Sequence, residues 1–401
     1  MLTKHTLNMN AYSLRTMQFM EGLKDLDAKI FLLDKKENYS NGEFPEIEGV
    51  SFFESFKDCK KAIKKLNLDI LISVNNYTSY LACKIPGEFY RICDLNGTFA
   101  YELQAQCFWE KNDLRYFILK HRQKKILKKA DLITTVSLAQ KNSVIGQLSL
   151  VGGSGYKNFS KNLVEVIENS QTKSFDNCYN KEKFNLDTPI NSQKLLFLGS
   201  FNNWVDEEAL IEAFALAKRK NPNLILILTG RKNSEFGNGK YENFMKIAKK
   251  KNLTDSIFHL GFIDYFDMKS LIEFCDLGIV CDLNIYESQL GARNRINEML
   301  KFGLPVLCTK ASQISNILCE LNENFVAESG NIKELADKIN WMLDKENQTE
   351  IKNTVSAFNK KYVNNIKHLD CIKKFIKNPF KKEKMRFKPL KFLKFVLKKR
   401  K

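Results

Sequence analysis

Residues Tyr286 to Val306 read YESQLGARNRINEMLKFGLPV and pack two arginines, two glutamates and a Gly-Leu-Pro turn into about two helical turns and the start of a strand. The pattern predicts a helix opening after Gly291, with Arg293 and Arg295 in its first turn and Glu298 on the same face three residues after Arg295. Met299, Leu300 and Phe302 supply the apolar stripe, Gly303 stops the helix, and Pro305 leads into a buried strand, PVLCT. A helix N-terminus offers free N–H groups to an anion, and two guanidiniums beside it strengthen that preference. The plainer reading of the same residues is a solvated helix face with a salt-bridge ladder.

Outward from this segment, short apolar runs alternate with helical patterns, as in parallel sheets flanked by helices. The runs predict strands at 29–33, 50–53, 69–74, 89–93 and 131–136, and again at 194–199, 224–229, 257–260, 277–281 and 305–308. Gly199, Gly230, Gly261 and the Cys281-Asp282 pair fall at the carboxyl ends of the second set, where doubly wound sheets bind ligands. This divides the chain into a first domain over 1–170, a polar linker over 171–193, a second domain over 194–345, closing helices over 346–378 and a tail over 379–401. The opening MLTKHTLNMN is polar, so the first strand expected of such a domain is read as missing, with a poor edge strand over Leu2 to Leu7 as the alternative.

Three stretches resemble a branch of the GT-B glycosyltransferases, the family-4-like enzymes of surface-polysaccharide and lipopolysaccharide gene clusters. Glu287, Gly291, Arg293, Arg295, Glu298, Gly303 and Pro305 stand in register with that branch's Glu-x-x-x-Ser/Gly-x-Arg-x-Arg run and its Gly-Leu-Pro turn. FLGSFNNWVDEEALIEAF, from Phe197 to Phe214, is similar to the strand, glycine turn, Trp-x-Asp and helix that open the donor domain, with Trp204 and Asp206 carrying the match. A weaker likeness covers Asp131 to Gly152. The resemblance implies an α/β chain of the GT-B fold: two doubly wound Rossmann-like domains facing a cleft, here followed by a basic C-terminal tail. It further implies transfer of a sugar from a nucleotide-sugar donor to an acceptor hydroxyl, a hexosyltransferase-type reaction without metal, with the donor as substrate and no cofactor.

On that footing Gly199 and Ser200 would admit the donor diphosphate, Trp204, Asp206 and Gly230 would line its site, and Arg231 would be a further phosphate contact. Arg293 and Arg295 would grip the diphosphate in place of the Arg and Lys that the broader family carries after its first donor-domain strand. Glu298 corresponds to the glutamate that accepts hydrogen bonds from the donor's ribose, because two carboxylate oxygens suit a vicinal diol. Eight residues before it stands Leu290 where the family has a second glutamate, which leaves Glu287 as the nearest carboxylate for the sugar, or else as a helix cap. Asp94 would orient or deprotonate the acceptor, or simply cap a turn. Arg15 could reach a phosphate or lie on a solvated face.

Ten scattered cysteines and four histidines, with no C-x-x-C pair, argue against a zinc or thiol redox centre and for reduced thiols in the cytoplasm. No signal peptide and no run of eighteen apolar residues stands out. The net charge of +18 is concentrated in residues 373–401, which hold fourteen Lys or Arg against one Glu, interleaved with Phe and Leu. Such a segment suits the surface of an anionic membrane, so the chain is expected at the inner face of the cell membrane with a glycan or glycolipid acceptor. Nucleic acid is the disfavoured competitor. Two other readings stand beside the transferase: a degenerate binding or scaffold protein of the same fold, and a nucleotide-sugar 2-epimerase.

Overall fold

The computed structural model describes residues 1–4, 11–30, 32–35, 50–153, 155–169, 180, 182–230, 237, 239–362 and 369–383. Within them the first domain runs β1 (Leu2–Lys4), α1 (Ala11–Leu23), β2 (Leu32–Lys35), β3 (Val50–Phe53), α2 (Phe56–Leu66), β4 (Ile70–Val74), α3 (Asn76–Ala82), β5 (Tyr90–Leu95), α4 (Phe99–Glu110), α5 (Leu114–Lys129), β6 (Leu132–Thr135), α6 (Leu138–Leu150) and β7 (Val164–Val166). Its sheet is parallel throughout, in the order β3-β2-β1-β4-β5-β6-β7. The opening strand is therefore present and lies mid-sheet between β2 and β4, which overturns the expectation that it is missing. Three residues suffice because partners on both sides satisfy its backbone, so no apolar run announces it.

The second domain runs β8 (Gln193–Phe197), α7 (Glu207–Lys220), β9 (Leu224–Thr229), α8 (Lys240–Lys250), β10 (Ile257–Gly261), α9 (Met268–Phe274), β11 (Leu277–Val280), α10 (Tyr286–Leu290), α11 (Asn294–Lys301), β12 (Val306–Thr309), α12 (Gln313–Leu321), β13 (Val326–Ala327) and α13 (Ile332–Leu343). The order β10-β9-β8-β11-β12-β13, again parallel, places β8 beside β11, so the strand order reverses there and opens a crevice at the strands' carboxyl ends. All six residues of β9, LILILT, are buried, as a strand covered by helices on both faces requires. Helix α7 is capped by Asp206, carries Glu207 and Glu208 in its first turn and Lys218, Arg219 and Lys220 in its last, and so matches its own dipole at both ends.

Two closing helices follow, α14 (Gln348–Tyr362) and α15 (Asp370–Lys377). The chain crosses back: Leu369, Ile372 and Phe375 pack with Phe19, Ile72, Ile92 and Leu132 of the first domain. Residues 171–179 and 181 of the linker, and the tail beyond Glu383, lie outside the described residues.

Candidate functional site

The floor of the crevice is backbone. Gly199 (φ +101°), Gly230 (φ +88°) and Gly261 (φ +75°) turn the chain at the ends of β8, β9 and β10 in a conformation that side chains disfavour. The turns are stitched together, with Gly199 N–H donating to Thr229 Oγ1 at 2.7 Å and Gly230 N–H to the Gly261 carbonyl at 2.7 Å. A Cβ on Gly230 would lie 2.6 Å from the Gly199 carbonyl carbon and from Ser200 N. Gly230 is thus the residue that lets the turn after β8 lie flat against its neighbour, and Ser200 belongs to that turn.

Over this floor stands Arg295, in the first turn of α11. Its guanidinium carbon lies 3.8 Å from the position a Cβ would occupy on Gly199 and 5.5 Å from the Phe197 ring centroid, and its Nη1 is buried without a hydrogen-bond partner. Burial lowers its pKa, the charge of Arg293 adds to the effect, and Asp282 and Glu287 oppose it. A cation held in this state gains from any anion that arrives. Glu298, one turn further along α11, accepts a hydrogen bond from Tyr265 at 3.4 Å.

Arg293 is placed differently. It is the N-cap residue, just outside the helix, and only 6% exposed. Its Nε lies 2.5 Å from Asp282 Oδ2, while Nη2 and Nη1 reach the two oxygens of Glu287 at 2.7 and 3.3 Å. Burial pushes its pKa down, but the two carboxylates prevail and the guanidinium is held firmly charged. The expected first turn is therefore split: α10 ends at Leu290, and Gly291 to Arg293 form a link that folds Arg293 back over α10. Gly291 is needed there because a Cβ would meet Arg293 Nη1 at 2.7 Å and Glu287 Oε1 at 2.9 Å. Two residues expected to face the donor, Arg293 and Glu287, are thus paired with each other.

Other sequence-predicted residues hold the frame. Asp206 accepts from Ala209 N–H at 3.0 Å as the α7 cap, and its own N–H donates to the Cys281 carbonyl, so it braces the crevice from behind. Trp204 accepts from Leu283 N–H through its carbonyl at 2.7 Å, and its ring lies 5.7 Å from the Arg293 guanidinium carbon. Asp94 lies within β5, not after it, and is wholly buried. Arg15 donates to both its oxygens, at 2.7 and 3.1 Å, and Thr134 adds a third bond at 2.6 Å, so a sealed ion pair replaces the accessible base that was expected. The Arg15 side chain likewise has no exposed surface, and Arg231 lies outside the described residues.

Two residues escaped the sequence reading. Asp282 ends the strand beside the crevice and holds Arg293; the Cys281-Asp282 position at a strand end was its only signal. Glu102, on α4, comes from the first domain. Its Oε1 occupies the space above Gly97, where a Cβ would stand 2.5 Å away, and Tyr101 beside it packs on Tyr286 of the second domain with ring centroids 5.4 Å apart. Burial, with Glu287 adding and Arg293 opposing, raises the Glu102 pKa to about 8. No sequence pattern marks it, because its neighbours come from the other domain.

Between the domains an open space of about 480 Å³ is lined by Ser137, Glu168 and Asn169 on one wall and Gly291, Arg293 and Gln313 on the other. Gln313 Nε2 donates to Glu168 Oε1 at 3.2 Å, and Leu138 N–H donates to Gln313 Oε1 at 2.9 Å, across the cleft. At the far side Trp109 Nε1 donates to the Asn203 carbonyl at 3.1 Å, and Lys240 sits 4.2 Å from the Trp109 ring centroid. These polar contacts let the walls meet without burying much apolar area.

Residues 179–361, somewhat less than half the chain, match the family described as glycosyl transferases group 1. An uncharacterized glycosyltransferase of Methanocaldococcus jannaschii is 25% identical over 262 residues, 63% of this chain and 60% of that protein's length. Among solved structures, HepE of Anabaena in complex with UDP and glucose superposes with a TM-score of 0.64 at 17% identity, covering 94% of this chain and 99% of that one. Sucrose-phosphate synthase of Thermosynechococcus elongatus gives a TM-score of 0.65 at 14% identity, covering 91% and 92%. Identities this low speak for the fold alone. Residues 179–361 are thus a glycosyl transferases group 1 domain, set in a chain whose two Rossmann-like halves have the GT-B fold.

Proposed function

We propose that the chain transfers a sugar from a nucleoside diphosphate donor to an acceptor hydroxyl, with the diphosphate seated on the Gly199 turn. The observation that carries this reading is Arg295, a half-buried arginine with a buried, unpartnered nitrogen, poised over a glycine turn at a helix start. As the donor bond breaks, negative charge grows on the diphosphate, and fixed donors aimed at that point lower the barrier. Arg295 and the free N–H groups at the start of α11 would meet that charge, Glu298 would hold the ribose, and no metal is required. HepE of Anabaena, which shares the fold, is known in complex with UDP and glucose, which supports a nucleotide-sugar donor here.

For the acceptor we favour a lipid-linked or surface glycan precursor presented at the cytoplasmic membrane face, since residues 373–401 are strongly basic and interleaved with Phe and Leu. Arg295→Ala should cost about 2 to 4 kcal/mol of transition-state stabilisation and weaken binding of the nucleoside diphosphate, while turnover should persist in EDTA. Unchanged kcat/KM in that variant would overturn the assignment. A catalytically silent binding protein is the competing reading, favoured by Leu290 where the family carries a glutamate. It would bind donor without consuming it in any acceptor screen.

A further inference from the structure

Helix α5 does not behave as the covering helix of an α/β domain. Its sequence, LRYFILKHRQKKILKK, holds seven Lys or Arg and no acidic residue. Leu114, Phe117 and Ile118, spaced to share one face, are 61%, 63% and 54% exposed, whereas the opposite face buries Gln123, Ile126 and Leu127. Lys120, Lys124 and Lys128 continue the outer face and are likewise exposed. Lys120 lies over the Phe117 ring, 4.3 Å from its centroid, so charge and ring form one patch. Beside it α4, α5 and α6 leave a wide groove lined by Tyr116, Phe117, Lys120, Lys124 and Leu150.

The route of the chain adds to this. Lys382 reaches the Leu127 carbonyl near the end of α5, and its backbone N–H donates to Asp131 at 2.9 Å. Glu383 and Asn158 exchange a pair of bonds, Nδ2 of Asn158 to the Glu383 carbonyl at 2.8 Å and Glu383 N–H to Oδ1 at 2.9 Å. Tyr156 and Phe159, which flank Asn158, are 86% and 96% exposed. Lys382 and Glu383 are therefore held between the foot of α5 and a turn with two exposed aromatic rings.

We infer that the outer face of α5, with the turn at Tyr156 and Phe159, is a docking surface for an anionic lipid bilayer. A water-facing helix has no use for three large apolar side chains on its outer face, and a neutral protein partner would not call for seven cations without one acid. Nucleic acid accounts for the cations but not for Leu114 and Ile118. Basic groups near an anionic surface add electrostatic attraction, and the apolar stripe adds insertion below the headgroups. This extends the membrane reading of the tail but rests on residues of the folded domain, and it does not depend on the transfer reaction.

The test is flotation of the full chain with vesicles of phosphatidylglycerol and phosphatidylcholine, or of phosphatidylcholine alone. Phe117→Ser with Ile118→Ser should lower binding to the anionic vesicles at least tenfold with the tail intact, and Lys120→Glu with Lys124→Glu should do the same. Binding of UDP, read by thermal shift on the same preparations, should be unchanged. That second readout separates a failed docking surface from a failed donor site. Vesicle binding unaltered in both variants, or equal binding to neutral and anionic vesicles, would overturn the inference, as would selective retention on a nucleic acid column in its place.

Discussion

At the scale of single residues, two arginines two positions apart do opposite work. Arg293 lies between Asp282 and Glu287 and is nearly sealed from water. Removing one member of a buried charge cluster leaves the others uncompensated, so Arg293→Ala should destabilise the fold by about 3 to 5 kcal/mol, measured by urea unfolding. Lysine should rescue little, since it lacks the forked geometry that reaches two carboxylates. Arg295 should show the reverse: little change in stability, a large one in turnover. Glu102 supplies a pH signature. Its folded pKa, near 8, lies above that of an exposed glutamate, so folding takes up a proton between the two values. Its contribution is fully present below about pH 4.5 and declines as pH rises toward 8. Glu102→Gln should flatten that part of a Tm-against-pH profile, and an unchanged slope would count against the buried placement.

At the scale of elements, the crevice is made by glycines that fit neighbouring strand ends against one another. Gly230→Ala would place a methyl group against the backbone of Gly199 and Ser200, neither of which can move aside as a side chain could. Strain from positive φ alone is worth about 1 to 3 kcal/mol, and the clash adds to it. The substitution should lower Tm by several degrees and weaken UDP binding together, measured by thermal shift with and without the nucleotide. Helix α11 illustrates what the pattern of a segment can and cannot say. Its apolar stripe, Ile296, Met299 and Leu300, is buried as its periodicity requires. The break between α10 and α11 follows instead from the pull of Asp282 and Glu287 on Arg293, a contact invisible in the spacing.

At the scale of the whole molecule, the two sheets are joined by polar struts on either side of the cleft and by α15, whose Ile372 and Phe375 close the core of the first domain. The C-terminal segment is in this sense part of the N-terminal half. The periodic apolar runs were enough to find ten of the strands and the division into two parallel sheets, because a strand buried on both faces must be apolar along its length. The short β7 and β13 stayed hidden and β1 surfaced only as an alternative edge strand, since two or three residues carry no period. The Arg-x-Arg run, Glu298 and the strand-end glycines stood out in the sequence as candidates because their residue types already bear the chemistry. Which arginine is paired with carboxylates, that Asp94 is locked by Arg15, and that the Glu102 pKa is raised, was decided only when distant segments met. Charge pairing and desolvation depend on distance in space, and distance in space is what a linear order of residues leaves open.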